Sequence, residues 1–188
     1  MEKKLVLLVG FGALEEKLEE ILKPLDLEIR QIGPSRLDET VGALCRDEKE
    51  YPREEAMDRG LVMFGGFTRD NLDPVLKAIR EAELPRQPLK AMVTPTNQKW
   101  KLKDLLQELQ QEKEIMGEII KLKQLRDSLP MPAFTDIPAM KARMMAEVQL
   151  RGGEEVTVET VRAAYQELQK FAKETVSGLP MEAARVLI

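Results

Sequence analysis

The densest group of side chains able to do chemistry is Thr94-Pro95-Thr96-Asn97-Gln98-Lys99-Trp100-Lys101, which gathers hydroxyls, amides, two lysines and the only tryptophan. Its candidate ligand-binding residues are Thr94, Thr96, Asn97, Lys99 and Trp100. Lysines flanking a tryptophan suit an anionic, planar ligand such as a nucleotide, through charge and stacking. The stretch follows an apolar run, at the carboxyl end of an expected strand, where open α/β sheets take their ligands. The competing structural reading is the stronger one. In it Thr96 or Asn97 shapes the turn or caps a helix, and Trp100 packs as a staple onto Leu102 and Leu105.

Two glycine turns, Gly10-Phe11-Gly12 and Gly65-Gly66-Phe67, lead from apolar runs into helical patterns. Such turns can cradle phosphate with backbone N–H groups. Here the third glycine of a dinucleotide fingerprint is missing and Glu15 stands in its place. An acid repels phosphate, so both turns read as structural. The carboxylates Glu15, Glu16, Glu19 and Glu20, and separately Asp70 with Asp73, have the spacing to hold a hard cation or do acid–base work. A solvated helix face is the expected reading of them. Cys45 reads as a small buried hydrophobe, not a reactive thiol.

There is no histidine among the 188 residues. That excludes a histidine general base, Ser-His or Cys-His nucleophile pairs, and histidine-ligated metal. One cysteine excludes an internal disulfide and any thiolate zinc or iron–sulfur site within one chain. No catalytic residue, metal site or cofactor is assigned. A net charge of -4 argues against a nucleic-acid-binding footprint. No run approaches the ~20 apolar residues of a membrane span. A soluble, cytoplasmic protein is therefore expected.

The elements that must position these residues come in two related sets. Leu5-Val6-Leu7-Leu8-Val9-Gly10-Phe11 matches Leu61-Val62-Met63-Phe64-Gly65-Gly66-Phe67 at an offset of 56, with four identities in seven. Short apolar runs bounded by glycine predict strands buried on both faces. Helical patterns follow: Leu14, Leu18, Ile21, Leu22 and Leu25, then Leu72, Val75, Leu76 and Ile79. Second strands are expected over 27–32 and 89–93, closed by Pro34 and Pro95 at an offset of 61, and Val41, Leu44 and Cys45 match Leu102, Leu105 and Leu106 at that same offset. The reading is an α/β (α+β) domain over 1–115, built from repeats 5–45 and 61–106 of a strand–helix–strand–helix unit. Its four strands are expected to form a ferredoxin-like sheet. The charged stretch 46–60 joins the halves.

The string Gly65-Gly66-Phe67, Leu72, Leu76, Pro88 to Asn97, Trp100 and Leu102 to Leu109 resembles a small bacterial family, domain of unknown function 3783. The resemblance covers about residues 61–113, with 5–45 as a degenerate copy. It implies a domain and no activity. Where such families write threonine after the tryptophan, this chain has Lys101.

Residues 116–188 are expected to form an all-helical arm. The helix begun near Trp100 runs on through Leu109, Met116, Ile119 and Ile120, and stops before Ser128-Leu129-Pro130-Met131-Pro132. A second helix runs from about Pro138 to Leu150 with Met140, Met144, Met145 and Val148 as its apolar side; core filling is the favoured role of the methionines from Met131 to Met145, and an adaptable binding surface is the alternative. A third is capped by Thr157, with Glu159 in its first turn. Met181 to Ile188 is expected to add a last turn or two. Ile137-Pro138, Arg143, Glu147, Gly152-Gly153, Thr157, Glu159, Val161 and Ala164 are similar in spacing to the small C-terminal helical domain of light-independent protochlorophyllide reductase, over about 133–165. The leading expectation is a non-enzymatic interaction or regulatory module that forms a homo-oligomer, most simply a dimer, through this arm. A protein partner also fits. The alternative is a protein or enzyme that binds a small anionic ligand at Thr94–Lys101.

Overall fold

The computed structural model describes residues 4–49, 52–153 and 155–177. It divides into two compact units, Met1–Gln110 and Gln111–Ile188.

The first unit holds strands β1 (Leu5–Val9), β2 (Glu28–Ile32), β3 (Leu61–Gly65) and β4 (Leu89–Met92). Its helices are α1 (Glu15–Leu22), α2 (Val41–Arg46), α3 (Arg69–Glu81) and the start of α4 (Leu102–Ser128). The strands form one sheet in the order β2-β1-β3-β4. β1 runs parallel to β2 and β3 parallel to β4, while β1 and β3 are antiparallel.

This order corrects the ferredoxin-like expectation. In that plait the two parallel strands of each βαβ unit are split by a strand between them. Here each unit keeps its parallel strands adjacent, and the units join edge to edge through β1 and β3. The rest of the expectation holds: a mixed α/β fold with a four-stranded sheet and a helical C-terminal region.

Both central strands are buried on both faces, so their sequences are continuously apolar and do not alternate. The pleat sends Leu5, Leu7, Val9, Leu61 and Met63 into one core with Val41, Leu44, Leu102, Leu105 and Leu106, from α2 and α4. Val6, Leu8, Val62 and Phe64 face the other way, onto Leu18, Leu22, Val75 and Ile79 of α1 and α3. Pro24 ends α1 as expected: the chain tightens into a 3-10 turn over Lys23–Leu25 and leaves it at Asp26.

The second unit holds the rest of α4 with α5 (Ile137–Arg151) and α6 (Val158–Ser177). Leu122, Leu129, Ala142, Ala146, Val161, Ala164 and Leu168 make its core. Asp136 caps α5 by accepting from the Ala139 amide at 3.1 Å. Thr157 accepts from the Thr160 amide at 3.2 Å at the start of α6, as expected.

The inner side of α5 differs from the expected methionine stripe. The residues turned fully inward are Ala139, Ala142 and Ala146; of the expected side Met145 packs half-buried against this core, while Met144 and Val148 are 64% and 60% exposed. Alanines let neighbouring backbones approach closely, which leaves the larger side chains outside. The turn expected over Met181–Ile188 lies outside the described residues. Among the described residues no helix is long and apolar enough to cross a membrane.

Candidate functional site

The Thr94–Lys101 loop leaves the carboxyl end of β4, passes through a 3-10 turn (Asn97–Lys99) and enters α4. Two of its candidate residues close the loop on itself. The Asn97 Oδ1 accepts from the Thr94 amide at 2.8 Å, and the Asn97 Nδ2 donates to the Met92 carbonyl at 2.8 Å. In return the Thr94 hydroxyl accepts from the Asn97 amide at 3.2 Å. This reciprocal lock is the turn-shaping role the short polar side chains allow.

Thr96, Lys99 and Trp100 are exposed. The staple expected of Trp100 is not what the structure has. Trp100 is 39% exposed while Leu102 and Leu105 are buried. Trp100 is extended just before the helix and its carbonyl accepts from the Val41 amide at 3.0 Å, so its backbone serves the packing and its ring does not follow the leucines inward. Lys101 and Lys103 both reach Asp38, at 3.5 and 2.6 Å. The Lys103 ammonium, by hydrogen bond and charge, holds the Asp38 carboxyl below its usual range. Lys99 makes no ion pair among the described residues.

The two glycine turns have different surroundings. Gly10 and Gly66 both take positive φ, 68° and 72°, as a sharp strand-to-helix exit requires. Gly10, Phe11 and Gly12 are buried, whereas Gly66 is exposed. The cover over the first turn is residues 53–57, from the charged joining stretch. The Met57 amide donates to the Gly10 carbonyl at 2.9 Å, and Glu54 accepts from the Ser35 amide at 2.8 Å and from the Ser35 hydroxyl. Sequence reasoning missed this strap; the glycines at 10, 12 and 33 were the available signal.

Glu15 corrects the solvated-face reading of the acidic cluster. It is 3% exposed, and its Oε2 has no hydrogen-bond partner. Burial pushes its carboxyl up, opposed by the Arg53 charge and by the Gly12 and Phe11 amides. Glu16 is exposed and pairs with Arg53 at 2.7 Å, and Glu19 accepts from Gln31 at 2.7 Å. Asp70 and Asp73 are exposed. Cys45 is half-buried against the core of the α2 and α4 face, and burial raises its thiol pKa, which suits the structural role. Among the described residues no group of three or more His, Cys, Asp or Glu could hold a metal ion.

No curated protein and no solved structure matches the chain. The likeness of 133–165 to protochlorophyllide reductase finds no support in these comparisons. One family model does match, over residues 61–116, from β3 through the Thr94–Lys101 loop into α4. That segment is similar to the family described as Domain of unknown function (DUF3783).

Proposed function

We propose that the protein is a non-enzymatic interaction module whose helical arm joins it to a second copy. The observation that carries this reading is the outward side of α5. Ile137, Met144 and Val148, at 73%, 64% and 60% exposure, lie one or two turns apart on one stripe, and Met131 and Phe134 just before the helix are also exposed. On α4, Met116 and Ile120 add an exposed apolar pair one turn apart. Large apolar side chains grouped in this way mark association surfaces, and a self-complementary patch closes most simply as a two-fold dimer. Light scattering of the full chain should exceed the 21.4 kDa monomer. Met144→Asp with Val148→Asp should return it to the monomer with its helicity intact. A wild-type chain that stays monomeric at high concentration overturns the reading.

A second reading, binding of a small anionic ligand at the Thr94–Lys101 loop, draws support from the exposure of Thr96, Lys99 and Trp100. Its test is quenching of Trp100 fluorescence by micromolar nucleotide, lost in Lys99→Ala. We also take the two halves of the first unit to be copies of one ancestral unit, in line with the matching runs at offsets 56 and 61.

A further inference from the structure

The carboxyl ends of β1 and β2 lie on the side of the sheet where α/β proteins take their ligands. In this chain residues 53–57 cover that end. The fit is specific in shape. A Cβ added at Gly10 would collide with the Met57 side chain, one at Gly12 with the Ala56 backbone, and one at Gly33 with the Glu54 carboxylate. It is specific in chemistry too: the Glu54 carboxylate takes the Ser35 amide and hydroxyl, while three residues on the Met57 amide binds the Gly10 carbonyl. Beneath the strap lies Glu15, nearly fully buried with one oxygen unpartnered.

The corresponding end of the other half differs. At offsets of 56 and 61, Gly12 and Gly33 are replaced by Thr68 and Thr94, whose Cβ atoms would bar a strap in this pose. The chain position that would supply such a strap is occupied by α4, which continues as helix where α2 stops at Arg46. That end of the first half is thus built for an extended acidic segment.

Apart from Met57, which packs against the core of the α2 and α4 face, the strap is lightly held. Pro52, Arg53, Glu55 and Ala56 are exposed, and only Glu54 and Met57 turn partly inward. Its hydrogen bond to Ser35 lies at the surface, and its ion pair is between exposed groups, Arg53 and Glu16. Segments with few buried contacts open at low cost while the core stays folded.

We propose that the surface floored by Gly10, Gly12 and Gly33 is a docking site for an extended acidic peptide, with residues 53–57 as its built-in competitor. The occupant it fits carries a carboxylate, then two positions on a small residue, then an apolar side chain, as in Glu54, Ala56 and Met57. Main-chain pairing with Gly10 selects a peptide over a free carboxylate.

The test uses the full chain and a fluorescein-labelled, end-blocked peptide of residues 52–57. Glu54→Ala releases the internal carboxylate and should bind the peptide at least tenfold more tightly than wild type, by anisotropy. Adding Gly33→Ala to that variant should abolish binding without changing its thermal melt. If Glu54→Ala does not fold, Glu54→Ser, too short to reach Ser35, is read in the same way. Glutarate at peptide concentrations should not compete. Equal binding by wild type and a folded Glu54 variant, binding by neither, survival of binding after Gly33→Ala, or equal competition by glutarate would each overturn the proposal.

Discussion

Leu7 and Met63 face each other across the antiparallel pairing of β1 and β3, and they hold the same place in the two apolar runs, 56 residues apart. A second such pair lies where the chain enters α2 and α4. Thr40 bridges Lys101, 61 residues on, and reciprocal bonds flank it: the Val41 amide to the Trp100 carbonyl at 3.0 Å, and the Leu102 amide to the Glu39 carbonyl at 2.9 Å. Each pair joins positions that match in the two stretches of sequence, and the bonds about it are mutual. Their junction has the form of an isologous interface inside one chain.

Leu7 and Met63 are both fully buried, so truncating either removes core volume at that junction. Leu7→Ala and Met63→Ala should each cost about 2–5 kcal/mol in urea unfolding. The double variant should depart from additivity by about 0.5–3 kcal/mol, because the two residues are paired neighbours. Additive costs would mean that the junction is not a shared packing unit.

The elements around that junction were legible because burial on both faces leaves an unmistakable apolar run between glycines. Strand order was not. The same apolar runs serve a split βαβ sheet and the observed one, since both bury the strands completely. Only the edge of β1 that receives β3 differs, and no side-chain pattern encodes that edge. At the loop, Asn97 was legible as a turn-former, since its side chain competes for nearby backbone groups wherever it is placed. The Trp100 ring was not, because its direction depends on the bridge between Thr40 and Lys101, far apart in sequence. Glu15 was misread because Glu15, Leu18 and Leu22 share the inner side of α1, and an acid was not admitted to an inward position.

Asn97→Ala should destabilise the first unit by about 1–3 kcal/mol. It removes the acceptor of the Thr94 amide and the donor to the Met92 carbonyl, leaving partly buried backbone groups unsatisfied. Thermal unfolding reads this directly. A neutral substitution would show that water replaces both bonds.

Trp100→Ala should cost well under the about 3–5 kcal/mol of a fully buried aromatic. With 39% of the residue exposed, Trp100 should emit at long wavelength and be quenched readily by acrylamide. Lys99→Ala should change stability by no more than about 0.5 kcal/mol. A blue-shifted, protected tryptophan would restore the staple.

Glu15 should give the protein an unusual pH term. Its carboxyl is raised from an ordinary 4.5, first by burial. An acid with a higher pKa folded than unfolded binds more protons in the native state over the interval between the two values. Stability therefore falls as pH rises through that interval, and the loss is complete above the folded value. The paired carboxylates Asp38 and Glu39 act in the opposite sense, because Lys103 and Arg36 lower them and their contribution is lost on acidification. Comparing wild type with Glu15→Gln cancels those common terms. The variant keeps an oxygen for the Phe11 and Gly12 amides but cannot ionise. Relative to wild type it should gain stability as the pH rises above about 4.5, and the gain should level off once the pH passes the folded value. Urea unfolding of both chains across that range gives the difference. Parallel stability curves would mean that Glu15 ionises in the folded protein as easily as in the unfolded chain, and that its unpartnered oxygen reaches water.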